Sequence, residues 1–294
     1  MQESLTSINV INKILKKYNF HTTKTLGQNF LIDANIVDNI LNSAEVSKND
    51  IIIEIGPGIG SMTQQLLKNS NKVYSIEIDN RLYPILEENF RNYDNFVLIK
   101  SDFLELDLKD FIERIKLENA LNDETKIKVV ANLPYYISTA IIMKLLESNI
   151  EIETMVFMLQ KEVAYRIGAK KDSKDYGILS IMCQYFSVPK ICFKVSKNCF
   201  IPKPNVDSVV IRLDLNKEKK LSLKDFLLFQ RVVKGSFNKR RKTLINSLGT
   251  YENFNKMEVE NLLEKLGIDK NIRAENLSID EFIAIAFELK NRDF

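Results

Sequence analysis

The residues of this 294-residue chain best suited to chemistry are Asn132-Leu133-Pro134-Tyr135. An asparagine side-chain oxygen and the neighbouring peptide carbonyl are two acceptors that can together receive both protons of one exocyclic amino group. On adenine such a group is a poor nucleophile, because its lone pair is delocalised into the ring. Two acceptors around it localise that pair toward an electrophile such as the methyl of a sulfonium, transferred in line. Pro134 stiffens the turn and adds no competing amide donor. Tyr135 offers a ring on which a base extruded from its helix or loop can stack. No general base is required, since the nitrogen becomes acidic as it is alkylated. His21 is the only histidine, which excludes a Ser-His-Asp triad, a Cys-His dyad and any zinc site built on more than one imidazole. It reads as a surface or hinge residue.

A second group of residues describes a cofactor site. Ile51-Ile52-Ile53-Glu54-Ile55-Gly56-Pro57-Gly58-Ile59-Gly60 reads as a buried strand running into a glycine-rich turn that opens a helix near Ser61. Gly56 and Gly58 let backbone approach a ligand with no Cβ in the way. Such turns are common, and a nicotinamide enzyme would look similar. Glu77, 21 residues beyond Gly56, is placed to accept both hydroxyls of a ribose, which a dinucleotide site also does. The turn separates the two readings: E-x-G-x-G-x-G with Pro57 inside it does not fit G-x-G-x-x-G, and suits a cofactor with no pyrophosphate to cradle. Asp102 can accept a hydrogen bond from an adenine amino group, with Phe103 packed on the ring. Asp102 could equally cap the turn that follows it.

For these residues to meet they must lie at strand ends, and the hydrophobic pattern puts them there. Apolar runs at 51–55, 73–78, 96–100, 128–131, 154–159, 183–187 and 209–213 read as strands, and helical periods fall at 61–68, 81–90, around 111–115 and at 139–146. The early strands are near-continuous Val and Ile, as expected when helices cover both faces. The predicted fold is α/β, a doubly wound Rossmann-like sheet whose last two strands form a terminal hairpin-like addition. Ligands of such sheets bind at the carboxyl edge. Past Leu215 a polar hinge, Asn216-Lys217-Glu218-Lys219-Lys220, gives way to purely helical periodicity: Phe226, Phe229, Val233, Phe237, then Leu262, Leu263, Leu266, then Phe282, Ile285, Ala286, Leu289. The expected division is a catalytic domain over 1–215 and a small all-α domain over 216–294, with no internal repeat, low-complexity segment or coiled coil.

Composition agrees with two ordinary globular domains: 45% hydrophobic and 28% charged residues, and no apolar run near the roughly 20 residues of a membrane helix. The N-terminus lacks the pattern of a secretory signal, so the cytoplasm is the expected location. Cys183, Cys192 and Cys199 form no C-x-x-C pair and read as small core residues, two of them beside aromatics in strand-like runs. The net charge of +3 hides a local excess: residues 217–242 hold ten Lys or Arg against two acids, whereas 243–294 hold six against ten. Lys234, Lys239, Arg240, Arg241 and Lys242, in a helical stretch anchored by Phe237 with Arg231 one turn earlier, are the footprint of a polyanion partner. Phosphate neutralisation by such a cluster gives affinity that falls steeply with salt. A solvated face is the plainer reading of any charge run. Lys16, Lys17 and Lys24 would extend the patch.

The chain resembles the ribosomal small-subunit RNA adenine dimethyltransferases, with the macrolide-resistance large-subunit methylases as close cousins. The resemblance spans nearly the whole sequence: Leu26-Gly27-Gln28-Asn29-Phe30-Leu31, the glycine turn, Asn132 to Tyr135, Leu159-Gln160-Lys161-Glu162-Val163, Tyr176-Gly177, Phe200-Ile201-Pro202-Lys203-Pro204-Asn205-Val206-Asp207-Ser208, and Phe237-Asn238-Lys239-Arg240-Arg241-Lys242. It implies S-adenosyl-L-methionine as cofactor, with Asn29 and Leu31 closing over its methionine end, Gly56 lining it, Glu77 on the ribose, Asp102 on the adenine amine and Asn132 between cofactor and target. It also implies Phe200 as a second aromatic face for the flipped adenine, opposite Tyr135, where the alternative is a core phenylalanine before a Pro-x-Pro turn. The implied substrate is a pair of neighbouring adenines in a hairpin loop near the 3′ end of small-subunit (16S) ribosomal RNA in an immature subunit, each dimethylated at N6. A monomer without metal or membrane is expected.

Ser236, where the family has other small residues, and Lys239, where it has Gln, depart from the pattern without touching the proposed chemistry. A large-subunit methylase shares the sheet and the reaction, but Asn-Leu-Pro-Tyr and the Gln preceding Asn29 fit the small-subunit group better. A DNA adenine methylase would carry Asp-Pro-Pro-Tyr. A non-catalytic assembly factor on the same fold would not need Glu77, Asp102 and Asn132 together.

Overall fold

The structure, a computed structural model, describes residues 3–23, 26–119, 125–216, 221–239 and 241–290. Helix α1 (Ile8–Lys17) and the short strand β1 (Phe30–Leu31) precede an alternating series: α2 (Ala34–Ser43), β2 (Ile51–Ile55), α3 (Thr63–Asn69), β3 (Lys72–Glu77), α4 (Tyr83–Phe90), β4 (Phe96–Lys100), α5 (Leu108–Asn119), β5 (Ile127–Asn132), α6 (Ser138–Glu147) and β6 (Thr154–Gln160). After α7 (Lys161–Ile167) and α8 (Ile178–Phe186) come β7 (Ser187–Val195), β8 (Phe200–Ile201) and β9 (Ser208–Leu215). The rest is helical: α9 (Leu223–Ser236), α10 (Leu244–Leu248), α11 (Lys256–Lys265) and α12 (Ile279–Lys290).

Seven strands form one sheet in the order β4-β3-β2-β5-β6-β9-β7. The pairs among β2 to β6 are parallel, and β9 runs antiparallel to β6. Every residue of β2 is buried, and so is all of β5 before Asn132, which explains their unbroken Val and Ile content. The chain moves outward from β2 through β3 to β4, then returns to the other side of β2 for β5. That reversal between β2 and β5 is the switch point at which open α/β sheets leave a crevice at their carboxyl ends. At the opposite end, a buried Lys128–Asp50 pair at 2.8 Å, with Lys128 Nζ also donating to the Glu45 carbonyl at 2.6 Å, ties the starts of β5 and β2 together.

The predicted run at 183–187 is not a strand. Residues 178–186 form α8, and the strand follows as β7. Ile178–Phe186 is apolar nearly all round because most of its residues are buried, which erases the 3.6-residue signature. Within β7, Pro189 and the exposed Lys190 and Lys194 mask a strand that lies at the sheet's edge, where a missing N–H is tolerated. Cys183 is accordingly a buried helical residue, while Cys192 and Cys199 are only partly buried.

The chain divides into two compact units, residues 1–164 with 188–215, and residues 165–187 with 216–294. The second unit thus includes α8 as well as the C-terminal helices. Its core is aromatic: Tyr185 stacks on Phe226 with centroids 5.5 Å apart, Phe186 and Phe229 pack around them, and Tyr176 donates from its hydroxyl to the Leu277 carbonyl at 3.1 Å. The hinge residues 217–220 lie outside the described residues. No helix among the described residues is long and apolar enough to cross a membrane.

Candidate active site

The glycine turn after β2 is built on left-handed backbone. Gly56 has φ +68° and Gly58 φ +60°, and a Cβ on Gly58 would lie 3.1 Å from two atoms of the Phe30 ring. Only glycine accepts both the dihedral and the close approach. The Gly58 amide donates to Glu77 Oε2 at 3.3 Å and the Asp79 amide to Glu77 Oε1 at 2.8 Å, so the carboxylate at the end of β3 is held by backbone from two sides. Burial pushes the Glu77 carboxyl up to about 7 despite those bonds.

Asp102 follows β4, and its Oδ1 accepts from the Leu104 amide at 2.8 Å. It therefore caps its turn and still lies on the cavity wall. Lys144 pins the same turn by donating to the Leu104 and Leu106 carbonyls at 2.6 and 2.7 Å. Phe103 is buried beneath it and also lines the cavity.

Asn132 ends β5. Its Nδ2 donates to the Asn29 carbonyl at 3.3 Å, and a carbonyl can only accept, so the amide orientation is fixed. Among the described residues neither Asn132 Oδ1 nor the Leu133 carbonyl accepts a hydrogen bond. Leu133 itself is buried, its amide donating to the Met158 carbonyl at 3.2 Å. Pro134 approaches Gly56 and Gly27, and the Tyr135 hydroxyl is hydrogen-bonded to Ser208 Oγ at 2.9 Å.

A solvent-open cavity, about 1070 Å³ when the open solvent at its mouth is included, gathers Asn29, Leu31, Gly56, Gly58, Glu77, Asp102, Phe103 and residues 132–135. Phe200 is not among its lining residues. It is 2% exposed and packed in the core, opposite Leu31 in the β1–β8 ladder.

Four further lining residues have no site role in the reading of the sequence, although two of them, Glu54 and Gln28, stand inside its motifs. Glu54, a lone carboxylate within a run of isoleucines, is fully buried: Oε2 accepts from Thr63 and Ser75, both at 2.7 Å, while Oε1 has no partner. Burial pushes its pKa to about 7. Tyr136, directly after the tetrapeptide, is 53% exposed on the rim. Gln28 turns its amide to Asp79, and Ile141 closes the apolar wall.

On the second unit the basic cluster is not one helix. Helix α9 ends at Ser236, because Ser247 Oγ donates to the Gly235 carbonyl and accepts from the Lys239 amide, both at 3.0 Å, reversing the chain. Lys234 is therefore helical, whereas Lys239, Arg241 and Lys242 lie in turns. All four are exposed. Arg241 and Lys242 enter no ion pair among the described residues, while Arg231 is paired with Glu252 at 2.8 Å. Arg240 and Lys24 lie outside the described residues. Lys17 is committed to Glu88. No group of three His, Cys, Asp or Glu suited to a metal occurs among the described residues.

What the sheet and its carboxyl-edge cavity define, as a class, is a Rossmann-like methyltransferase. The family can be stated too: the model of the family described as Ribosomal RNA adenine dimethylase matches residues 19–291, and the chain belongs to that family. A Clostridium botulinum protein named Ribosomal RNA small subunit methyltransferase A is 47% identical over 270 residues, 92% of this chain and 94% of the relative. Among solved structures, a dimethyladenosine transferase from Plasmodium falciparum superposes with TM-score 0.73 at 26% identity, covering 89% of this chain and 98% of its own. The 23S rRNA methyltransferase ErmE gives TM-score 0.64, also at 26% identity, over 89% and 100% of the two chains.

Proposed function

We propose that this enzyme dimethylates N6 of two adjacent adenines in a hairpin loop near the 3′ end of small-subunit (16S) ribosomal RNA, on an immature subunit, with S-adenosyl-L-methionine as donor. The observation that carries this reading is the pair of unfilled acceptors, Asn132 Oδ1 and the Leu133 carbonyl, at the edge of a cavity that already holds a nucleoside-type carboxylate.

The cavity's donors and acceptors suit the cofactor. Glu77 would take the ribose hydroxyls, the free oxygen of Asp102 the adenine amine, and Asn29 and Leu31 the methionine end. Glu54 Oε1, buried without a partner, is matched to an ammonium group. When bound, S-adenosyl-L-methionine supplies an electrophilic methyl on a sulfonium. Asn132 and Leu133 grip the two amino protons of the target base and aim its lone pair, Pro134 holds that turn without an amide donor of its own, and Tyr135 provides the stacking face. Tyr135 is braced for this by Ser208. The proton leaving the alkylated nitrogen passes to water. Phe200 would serve as a second face only after leaving its packed position.

The test is incubation of the purified enzyme with radiolabelled cofactor and immature small subunits, followed by mapping of the label. The expected result is label at N6 of two neighbouring adenines, and label on large-subunit RNA alone would overturn the reading. Arg241 and Lys242 would neutralise RNA phosphates. Reversing both to Glu is expected to weaken RNA binding and reduce the slope of log affinity against log salt by about two. Filter binding across a salt series measures this, and an unchanged slope would move the RNA surface elsewhere.

A further inference from the structure

Three residues to which the reaction assigns no contact with cofactor or base, one of them the cavity-lining Gln28, meet beside Glu77. Asp79 Oδ2 accepts from Gln28 Nε2 at 2.7 Å and from Arg81 Nη2 at 2.6 Å, while Oδ1 accepts from Arg81 Nε at 2.8 Å and the Arg81 amide at 3.1 Å. The Asp79 side chain is only 4% exposed. Burial works against its charge, but the bonds from Arg81 and Gln28 outweigh it and hold the carboxyl below its ordinary range.

From this carboxylate the ties run into the N-terminal segment. Gln28 Oε1 accepts from the Thr23 amide at 2.9 Å. Arg81 donates to Thr23 Oγ1 at 2.8 Å and to the His21 carbonyl at 3.3 Å, and its guanidinium lies 4.8 Å from the centre of the Phe20 ring. A single buried charge thus secures residues 20–23 and the stretch beginning at Gln28.

Both ends of the cavity depend on that fastening. The Asp79 amide donates to Glu77 Oε1, and Asn29, next to Gln28 in the chain, presents the carbonyl that fixes the Asn132 amide. If residues 28 and 29 shift, the Asn29 carbonyl leaves Asn132 Nδ2, and nothing then prevents the amide from turning its nitrogen to the cavity.

We propose that Gln28, Asp79 and Arg81 form a positioning clamp that holds Asn29 in place, and so governs both cofactor affinity and the orientation of Asn132. The proposal rests on reading the cavity as the cofactor pocket. None of the three acts on the reacting atoms. Gln28 belongs to the Leu26–Leu31 motif but has no role in the chemistry, and the clamp gives it one.

The test uses the full chain, with S-adenosyl-L-homocysteine as a non-reacting probe in calorimetric titration, alongside single-turnover methylation at saturating cofactor and RNA. Gln28→Met keeps the bulk and removes the polar ties. It is expected to raise the Kd for the probe about tenfold and to slow the single turnover about as much, the worth of one hydrogen bond to a charged group, because Asn29 is no longer held at the cavity while Asp79 keeps its bonds from Arg81. RNA affinity and the melting temperature of the ligand-free protein should stay near wild type. Asp79→Ala retains the amide that donates to Glu77, so it isolates the clamp. The double variant Gln28→Met/Asp79→Ala should bind only slightly more weakly than Asp79→Ala alone, since the Gln28–Asp79 bond is already lost there and only the Gln28 tie to the Thr23 amide remains to be broken. An unchanged Kd in folded Gln28→Met, or losses that simply add in the double variant, would overturn the clamp. A wild-type protein that does not bind the probe would instead remove the cofactor reading beneath it.

Discussion

Asn132→Ala is expected to reduce methyl transfer by at least about 10²- to 10³-fold, the cost of losing one preorganised hydrogen-bonding group aimed at the reacting centre. RNA affinity should change little, because the basic residues that would hold phosphate are on α9 and the turns after it. The substitution removes the Oδ1 acceptor and also the Nδ2 donor to the Asn29 carbonyl. Asn132→Asp separates the two losses: it restores an acceptor but sets a carboxylate against the Asn29 carbonyl, and should recover only part of the rate. Single-turnover methylation with filter binding on the same samples checks both variants. Full activity in Asn132→Ala would sink the account of lone-pair localisation.

The second large effect is on stability. Burial raises the carboxyls of Glu54 and Glu77 from 4.5 to about 7 in the folded chain. A group whose folded pKa lies above its unfolded value stabilises fully below about 4.5, and that contribution is lost as pH rises through about 7. For the fully buried Glu54 the difference corresponds to about 3 kcal/mol. Ligand-free protein is therefore expected to be less stable at pH 8 than at pH 5, and Glu54→Gln should flatten the dependence by about that amount. Urea unfolding at a series of pH values measures it. A Glu54→Gln variant with the wild-type slope would show that the carboxyl is already charged at low pH. Cofactor should oppose the loss, since an ammonium beside Oε1 favours the carboxylate.

Most of the frame was legible because its pattern had one cause. Strand β2 and all of β5 before Asn132 are buried, so their Val and Ile runs have no competing reading. The carboxyl ends of β2, β3 and β5 bring Gly56, Glu77 and Asn132 together from the sequence alone. Asp102 is harder, since a turn cap and an adenine ligand call for the same residue, and it caps its turn while lining the cavity. Helix α8 was misread because burial on most sides hides helical periodicity. The turn at Lys239–Lys242 was hidden by Ser247, a partner eight residues on that no local pattern announces. Phe200 shows the limit of reading roles from motifs: its residue type suits stacking, but the ladder with Leu31 turns its ring inward. Glu54 could have been found from sequence, because a carboxylate amid four isoleucines has to be reconciled with burial.

The margin of the sheet formed by β7 bears on how these molecules meet one another. A strand paired on one side only is a template for a neighbour's backbone, and this one carries a hydrophobic residue, Val188, out in solvent. Pro189 brings no N–H to the strand, and the exposed Lys190 and Lys194 set two positive charges along it. Two such strands brought side by side would set like charges against one another, which disfavours edge-to-edge pairing of two copies.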